Sequence, residues 1–432
     1  MTELGLWRPT YALVRATLVG MSGVVVAVAL GRVDLVILTG PLLAIAVWSA
    51  RLRPEEQPAY EHRWSTLAIR EGETTSCTVR LESRSRLESA YVVVTTPSFV
   101  EVEPPSGSAA MTRTDGRFEI VLPVRSTRWG RRVVGPVVVT ASSAWDGFRA
   151  RSSAFGQSEL TTSPIPSTFD TSAPVPHPVG LVGQHRSRRR GDGSEFNSIR
   201  PFQVGDRLRR LHWPVSLRTG ELHSISTWAD QDAHVVLLVD GTDDLGPSDG
   251  VDGEASALDT TVRAAAAVAE QYLRGGDRVE TRVMDARGVR RVPPSSGTPQ
   301  LRRVLDHLAT IKPGANARFD PLRNQHSLAH GATVVMLSSL IAPSALAAAA
   351  SLARSGFSII VVDTLPEHVE PRHYNDRYGD LAWRIRLLER QRDIHRVEAI
   401  GVPVVPWRGP GSLDQVLRDL TRRASAPRLA RR

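Results

Sequence analysis

Between Gly191 and Trp228 the chain reads GDGSEFNSIRPFQVGDRLRRLHWPVSLRTGELHSISTW, a stretch that gathers Glu195, Asp206, His212, Ser216 and His223. These are the side chains from which hydrolytic centres are assembled. A hydroxyl nucleophile needs a base within hydrogen-bond reach and a third group that orients the base. Spacing along a chain does not supply that geometry, and the stretch holds neither a nucleophile elbow nor a metal-binding His-Glu helix. The competing chemistry is electrostatic. Glu195, Arg200, Asp206, Arg209 and Arg218 mix both signs, and a guanidinium fork can clamp a carboxylate with two hydrogen bonds. We expect Asp206 to pair with Arg209 or Arg218 and to cap a short helical turn in which Leu208 and Leu211 share a face. Phe196, Phe202, Leu211 and Trp213 are the apolar anchors, with Trp213 packing the loop against a sheet. Gly191, Gly193, Gly205 and Gly220 suit tight turns at positive φ. Removing one member of a buried ion pair strands its partner at about 3–5 kcal/mol, so such residues can matter without catalysing anything.

The order of these residues is specific as well. The run Arg200, Phe202, Gly205-Asp206, Arg209, Leu211, Trp213, Ser216, Arg218, Gly220 and Leu222, with Glu195 and Phe196 just ahead of it, resembles the signature of the bacterial family called domain of unknown function fifty-eight. The resemblance implies a membrane hairpin, a β-rich domain, the signature, and a C-terminal domain like von Willebrand factor A. It also implies partners: a MoxR-type AAA+ ATPase and a transglutaminase-like membrane protein. A second motif, Ala144-Trp145-Asp146-Gly147-Phe148, resembles a family turn that commonly reads Asp-Pro-Phe-Gly, with the proline and its neighbours replaced here.

Von Willebrand A-like domains hold Mg²⁺ on Asp-x-Ser-x-Ser at the end of their first strand, hard oxygens for a hard cation. The matching positions here are Asp240-Gly241-Thr242-Asp243-Asp244, so the third ligand becomes an aspartate. Gly314-Ala315-Asn316-Ala317 stands where the distant threonine is sought, and Ser338-Ser339-Leu340-Ile341 offers no acid. A cation could be held by Asp240, Thr242 and Asp244, helped by Asp249 or Asp252. The site is nevertheless degenerate, and no resident cofactor is expected.

These residues must be positioned by a chain of 432 residues, long enough for two or three domains. The fold class expected is α+β and multidomain. Residues 1–55 carry two apolar segments, Tyr11–Leu30 and Val33–Ala50, each near the ~20 residues that span a bilayer. Arg15 within the first and the immediate second segment favour a retained helical hairpin over a cleaved signal peptide. Arg8, Arg15, Arg51 and Arg53 flank the outer ends, against Arg32 beside Asp34 in the turn, so the soluble mass belongs in the cytoplasm of a bacterium, beneath the plasma membrane, with the protein multi-pass. The lone Cys77 agrees, since one thiol builds no disulfide framework. It lies on an alternating face and reads as a small core residue.

Residues 60–160 alternate in short β-branched runs and form an all-β, sandwich-like domain. Thr75, Cys77, Val79 and Leu81 share one face, Tyr91, Val93 and Thr95 another, and Phe118, Ile120, Leu122 and Val124 a third. Residues 161–190 are a Pro-, Ser- and Arg-rich connector containing His177 and His185, read as solvated bystanders. After the signature, residues 191–228, the rhythm of residues 229–424 is strand and helix in alternation: strands at 234–240, 279–284, 333–338, 358–363 and 402–406, helices at 258–274, 298–311, 343–354, 380–395 and 412–423. Apolar strands separated by helices predict a doubly wound parallel sheet, with ligands beyond the carboxyl ends of its strands, which singles out Asp240.

The net charge is +9, and Lys312 is the only lysine among 54 basic residues. Arg186, Arg188, Arg189 and Arg190 form one cluster, and residues 425–432 a basic tail continuing from Arg422 and Arg423. Without zinc-ligand spacing or a basic helix interleaved with aromatics, nucleic acid is not the expected partner. Solvated arginines near an anionic bilayer, worth about 1 kcal/mol each at most, are the plainer account. The expected function is a membrane-anchored, non-catalytic scaffold or adaptor that binds proteins. The alternatives are an envelope-associated hydrolase using the signature's carboxylates and histidines, and, more weakly, anionic lipid or nucleic-acid binding through the arginine clusters.

Overall fold

Thr10 starts the first helix from an extended conformation, its Oγ1 accepting the Leu13 N–H at 3.3 Å. The helix runs Tyr11–Leu30 and stops at Gly31, whose φ of 64° is the left-handed cap that glycine takes without steric cost. Val33–Arg51 follows at once. The two pack closely because Gly20 and Gly23 present no side chain: a Cβ at Gly23 would lie 2.4 Å from the Thr39 side chain. Leu18, Met21, Val28, Ile37 and Leu38 face outward. Both helices are long and apolar enough to cross a membrane, and their bounds match the expected segments.

The computed structural model describes residues 2–114, 116–152, 156–166, 190–203, 206, 208–228, 234–314, 328, 332–367, 369 and 378–409, with backbone alone at 2, 3, 190–197, 209, 227 and 228. The expected connector beyond residue 166, His177, His185, Arg186, Arg188, Arg189, the helix 412–423 and the basic tail lie outside the described residues. The chain divides into two units, Met1–Ser163 with Gly250–Asp252, and Pro164–Asp249 with Gly253–Arg432.

In the first unit the β-rich region is sandwich-like. One sheet runs in the order Thr2–Glu3, Ala59–Trp64, Thr74–Glu82, Arg117–Ser126, Val100–Val102, with Thr112–Thr114 also beside Arg117–Ser126. A second runs Arg8–Pro9, Phe148–Arg151, Val137–Ser143, Ser89–Val94, Ser108–Ala110. Both are antiparallel and share one core, in which Cys77, Val79, Leu81, Leu122 and Val124 meet Val92, Val94, Val139 and Ala150. A small third sheet joins Gly130–Val134, Ser158–Ser163 and Ala68–Arg70. Cys77 is wholly buried, and burial pushes its thiol up to about 11. The face of Tyr91 and Val93 turns outward, while Ala90, Val92 and Val94 point in. Leu4 and Trp7 enter the same core, so residues ahead of the first helix belong to the β layer and not to the hairpin alone.

In the second unit six strands lie in the order Gly288–Ser295, Arg278–Asp285, His234–Asp240, Thr333–Ser338, Ser358–Asp363, Val404–Pro406. All neighbours are parallel except the first pair. The antiparallel edge strand Gly288–Ser295 was not expected, because Arg290, Arg291, Pro293 and Pro294 hide its alternation. Helices Ala257–Arg274, Gly297–Leu308, Pro343–Arg354 and Gly379–Ala399 occupy the crossovers. The first opens with a capping box, Ser256 and Asp259 each bonding the other's backbone N–H at 3.2 Å. Chain order leaves His234–Asp240 toward one edge and then resumes on its other side at Thr333–Ser338. The carboxyl ends of those two strands therefore mark the switch point at which open sheets bind ligands.

Candidate functional site

The signature forms an antiparallel hairpin, Arg190–Pro201 against His223–Trp228. Gly191 and Phe196 both stand opposite Thr227, so the residues between them bulge out of register, Glu195 among them. The hairpin's connection holds a 3-10 turn, Leu208–Arg210, and a helix, Trp213–Thr219. Gly220 ends that helix at φ 74°, its N–H on the Ser216 carbonyl at 3.0 Å. Gly205 and the side chains of Glu195, Phe196 and Arg209 lie outside the described residues.

Asp206 pairs with Arg200, a partner not expected from the sequence. Arg200 Nη1 donates to Asp206 Oδ2 at 2.8 Å and Nη2 to Oδ1 at 2.7 Å, a fork on a carboxylate. Oδ2 also accepts the Gln203 N–H at 2.9 Å, and the Asp206 N–H returns to the Gln203 carbonyl at 3.0 Å. Asp206 therefore closes the turn behind it instead of capping the one ahead. The Arg200 hydrogen bonds, with the Gln203 amide second, hold its carboxyl below the usual range. Arg218 is exposed in the last turn of the helix and makes no ion pair among the described residues. The turn explains the choice: Arg200 lies one residue before the end of its strand, and the Gln203–Asp206 turn that follows folds the carboxylate back onto it.

Ser216 is 6% exposed and fully engaged. Its Oγ donates to the His212 carbonyl at 2.9 Å and accepts the His223 N–H at 2.8 Å, pinning the helix to the second strand. His212 stands at the helix N-cap, its Nδ1 accepting the Val215 N–H at 3.3 Å. His223 Nδ1 lies 2.8 Å from the Glu221 carbonyl and 3.2 Å from Thr219 Oγ1. The hydroxyl and the imidazoles thus serve backbone groups and not one another. Phe202 is tied to Leu222 by its N–H at 2.7 Å, and Leu211 bridges to Ser224.

The apolar anchors behave differently from the expectation. Trp213 is 58% exposed, and Leu217, one helical turn on, is 80% exposed, with Leu208 at 70%. Trp213 does not pack the segment against a sheet. Positions i and i+4 share a helix face, so Trp213 and Leu217 present one apolar surface to solvent.

At the switch point, Asp240 Oδ1 accepts the Thr242 N–H at 3.2 Å and its hydroxyl at 2.7 Å, and Oδ2 accepts the Ser338 hydroxyl at 2.6 Å. Ser338 Oγ in turn accepts the Leu340 N–H at 3.0 Å. Gly241 is required by close approach: a Cβ there would sit 2.7 Å from Ile311 Cγ2 and 3.1 Å from the Met284 carbonyl. The carboxylate beside Asp240 is Asp243, which shares the Thr242 hydroxyl at 3.4 Å; burial, then the charge of Asp240, pushes its carboxyl up. Asp244, expected as the third ligand, is exposed, and Asp252 is held in the first unit by Arg125 at 2.7 Å. Ser338 and Asp243 were missed by sequence reasoning. The signal for Ser338 was its place at the end of the neighbouring parallel strand. Among the described residues no three His, Cys, Asp or Glu side chains assemble as a metal site. With Ser338 committed to Asp240 and Leu340, the donors do not fit the octahedral shell Mg²⁺ demands.

An uncharacterized protein of Mycobacterium bovis and uncharacterized proteins of two Mycobacterium tuberculosis strains are each 31% identical over 131 residues, 30% of this chain. The match spans 40% of the length of these relatives. Among solved structures, the cupredoxin domain of amoB from Nitrosocaldus yellowstonii aligns with 28% of this chain and 95% of its own at 11% identity, with a TM-score of 0.18, too low to bear on the fold. Residues 198–370, from the signature hairpin through the strands that end at Asp240 and Ser338, match the family described as protein of unknown function DUF58.

Proposed function

We propose that this protein is a membrane-anchored, non-catalytic scaffold whose signature hairpin docks a protein partner. One observation carries the reading: among its described residues the signature ties Ser216 to backbone groups and Asp206 to Arg200, and turns Trp213 and Leu217 outward. Exposed aromatic and aliphatic anchors of this kind are what protein interfaces bury at their centres. An enzyme would need the opposite arrangement, with polar groups converging on open space.

The finer architecture belongs to the same proposal. A parallel sheet with one antiparallel edge and an aspartate at the end of its first strand supports a von Willebrand A-like second unit whose cation site has been lost. Two adjacent apolar helices with arginines at their outer ends support a multi-pass protein with its folded units in the cytoplasm. The partner we favour is a MoxR-type AAA+ ATPase, with a transglutaminase-like membrane protein as a second. The tagged chain is to be drawn from mild-detergent extracts under nucleotide-trapping conditions. Recovery of an AAA+ ATPase by the native chain, lost in Trp213→Ala/Leu217→Ala at an unchanged melting temperature, is the expected result. Recovery of no ATPase, or equal recovery by the variant, counts against the proposal.

A further inference from the structure

Ala144, Trp145 and Asp146 stand in succession at φ of 56°, 60° and 53°, a left-handed turn that L-residues rarely adopt singly and scarcely ever in a row. Glu88 holds it open, Oε1 accepting the Trp145 N–H at 2.9 Å and Oε2 the Asp146 N–H at 3.1 Å. The ends of both apolar helices hold it from the other side. Ser49 Oγ donates to the Ala144 carbonyl at 2.7 Å, Thr10 Oγ1 to the Asp146 carbonyl at 2.9 Å, and the Thr10 N–H to the Gly147 carbonyl at 2.9 Å. Gly147 is the contact point: a Cβ there would lie 1.8 Å from Ser49 Oγ.

All this restraint presents Trp145 outward, 67% exposed, level with the start of one helix and the end of the other. Beside it opens a cavity of about 730 Å³, lined by Arg53, Arg84, Arg86, Glu55 and Trp145 among others. Glu88 is taken up by the two amides, and Glu56 faces Arg84 at 3.5 Å. Arg53, over the Phe148 ring, and Arg86 have no carboxylate partner among the described residues. Tryptophan is the side chain that bilayer interfaces favour, and unpaired guanidiniums next to it suit a phosphate.

We propose that the Ala144–Gly147 turn and the cavity beside it form a phospholipid headgroup site at the membrane interface, with Trp145 at headgroup depth and Arg53 and Arg86 on the lipid phosphate. The proposal rests on the reading that both helices cross the bilayer. The full chain is to be placed in vesicles of phosphatidylethanolamine and phosphatidylglycerol and spin-labelled at Trp145→Cys, at Asp146→Cys should the first fail to fold, and separately at Met21→Cys on the exposed side of the first helix. Cys77, buried and with its thiol pushed up to about 11, stays unlabelled. Relative access of oxygen and of a nickel chelate reports depth. Met21 in hydrocarbon and Trp145 at the headgroups is expected, with lipid retained on detergent extraction falling about fivefold for each of Arg53→Gln and Arg86→Gln. Met21 in hydrocarbon with Trp145 in water overturns the headgroup site and leaves the spanning helices intact. Both labels in water overturn the spanning reading and the site with it. Immobilisation of the Trp145 label by millimolar inorganic phosphate in lipid-free micelles would reassign the cavity to a soluble anion and overturn the lipid.

Discussion

Two parts of the second unit use arginine and carboxylate in opposite settings. In the central sheet Glu280 is fully buried, its Oε1 accepting Arg282 Nε at 2.6 Å and Arg291 Nε at 2.8 Å, with Arg282 itself only 2% exposed. In the signature hairpin the Arg200 and Asp206 side chains retain 23% and 18% of their surface. The first network lies within a sheet that apolar packing already holds together. The second stands where apolar packing is scarce, since Leu208, Trp213, Leu217 and Leu222 are all exposed. Depth therefore sets what each network is worth, and the lack of a local core sets how much the hairpin relies on its own.

The largest effect is expected from Glu280→Ala, which removes the buried carboxylate to which Arg282 and Arg291 both donate. It should cost about 3–5 kcal/mol, read as a large fall in the melting temperature of the full chain in detergent. A loss no greater than that of an exposed charge would erase the contrast. Next comes Ser216→Ala, which takes from the His223 N–H its acceptor at 2.8 Å, while the His212 carbonyl keeps the Ser216 N–H at 3.1 Å. A loss of about 1–3 kcal/mol and faster amide exchange confined to the hairpin are expected.

Smaller still is a pH effect in the sheet and the helix Gly297–Leu308. Burial, ahead of nearby charges, holds the imidazoles of His234 and His307 below the ordinary value of 6.5. The unfolded chain then takes up protons first, so stability is unaffected above that pH and is lost as pH falls through it. His234→Gln with His307→Gln should flatten the melting profile between neutral pH and pH 5. The smallest expected effect is none: millimolar Mg²⁺ should not move the melting temperature, and a clear rise would restore the cation site at Asp240.

Much of this was legible in the sequence. Tyr11–Leu30 and Val33–Arg51 are long, predominantly apolar runs, and the strands ending at Asp240, Ser338 and Asp363 are short apolar blocks between helices. Cys77 lies where alternation puts it. What failed to show was everything fixed by pairing across the chain. Arg200 meets Asp206 because the chain turns back at Gln203 after the strand, and Ser338 meets Asp240 across 98 residues of chain. The strand Gly288–Ser295 owes its place to the edge of a sheet, where a polar, proline-containing run is tolerated. Trp213 misled because a tryptophan among charges reads as an anchor, and only the fold shows which way it points.

The central claim is that the signature braces itself with the Arg200 and Asp206 pair and leaves its apolar face for a partner. Melting of the full chain with Arg200→Asp, with Asp206→Arg and with both together tests it most directly. Each single change should lower the melting temperature by opposing like charges, and the exchanged pair should recover most of that loss. An exchanged pair that melts no higher than the worse single variant would contradict the account.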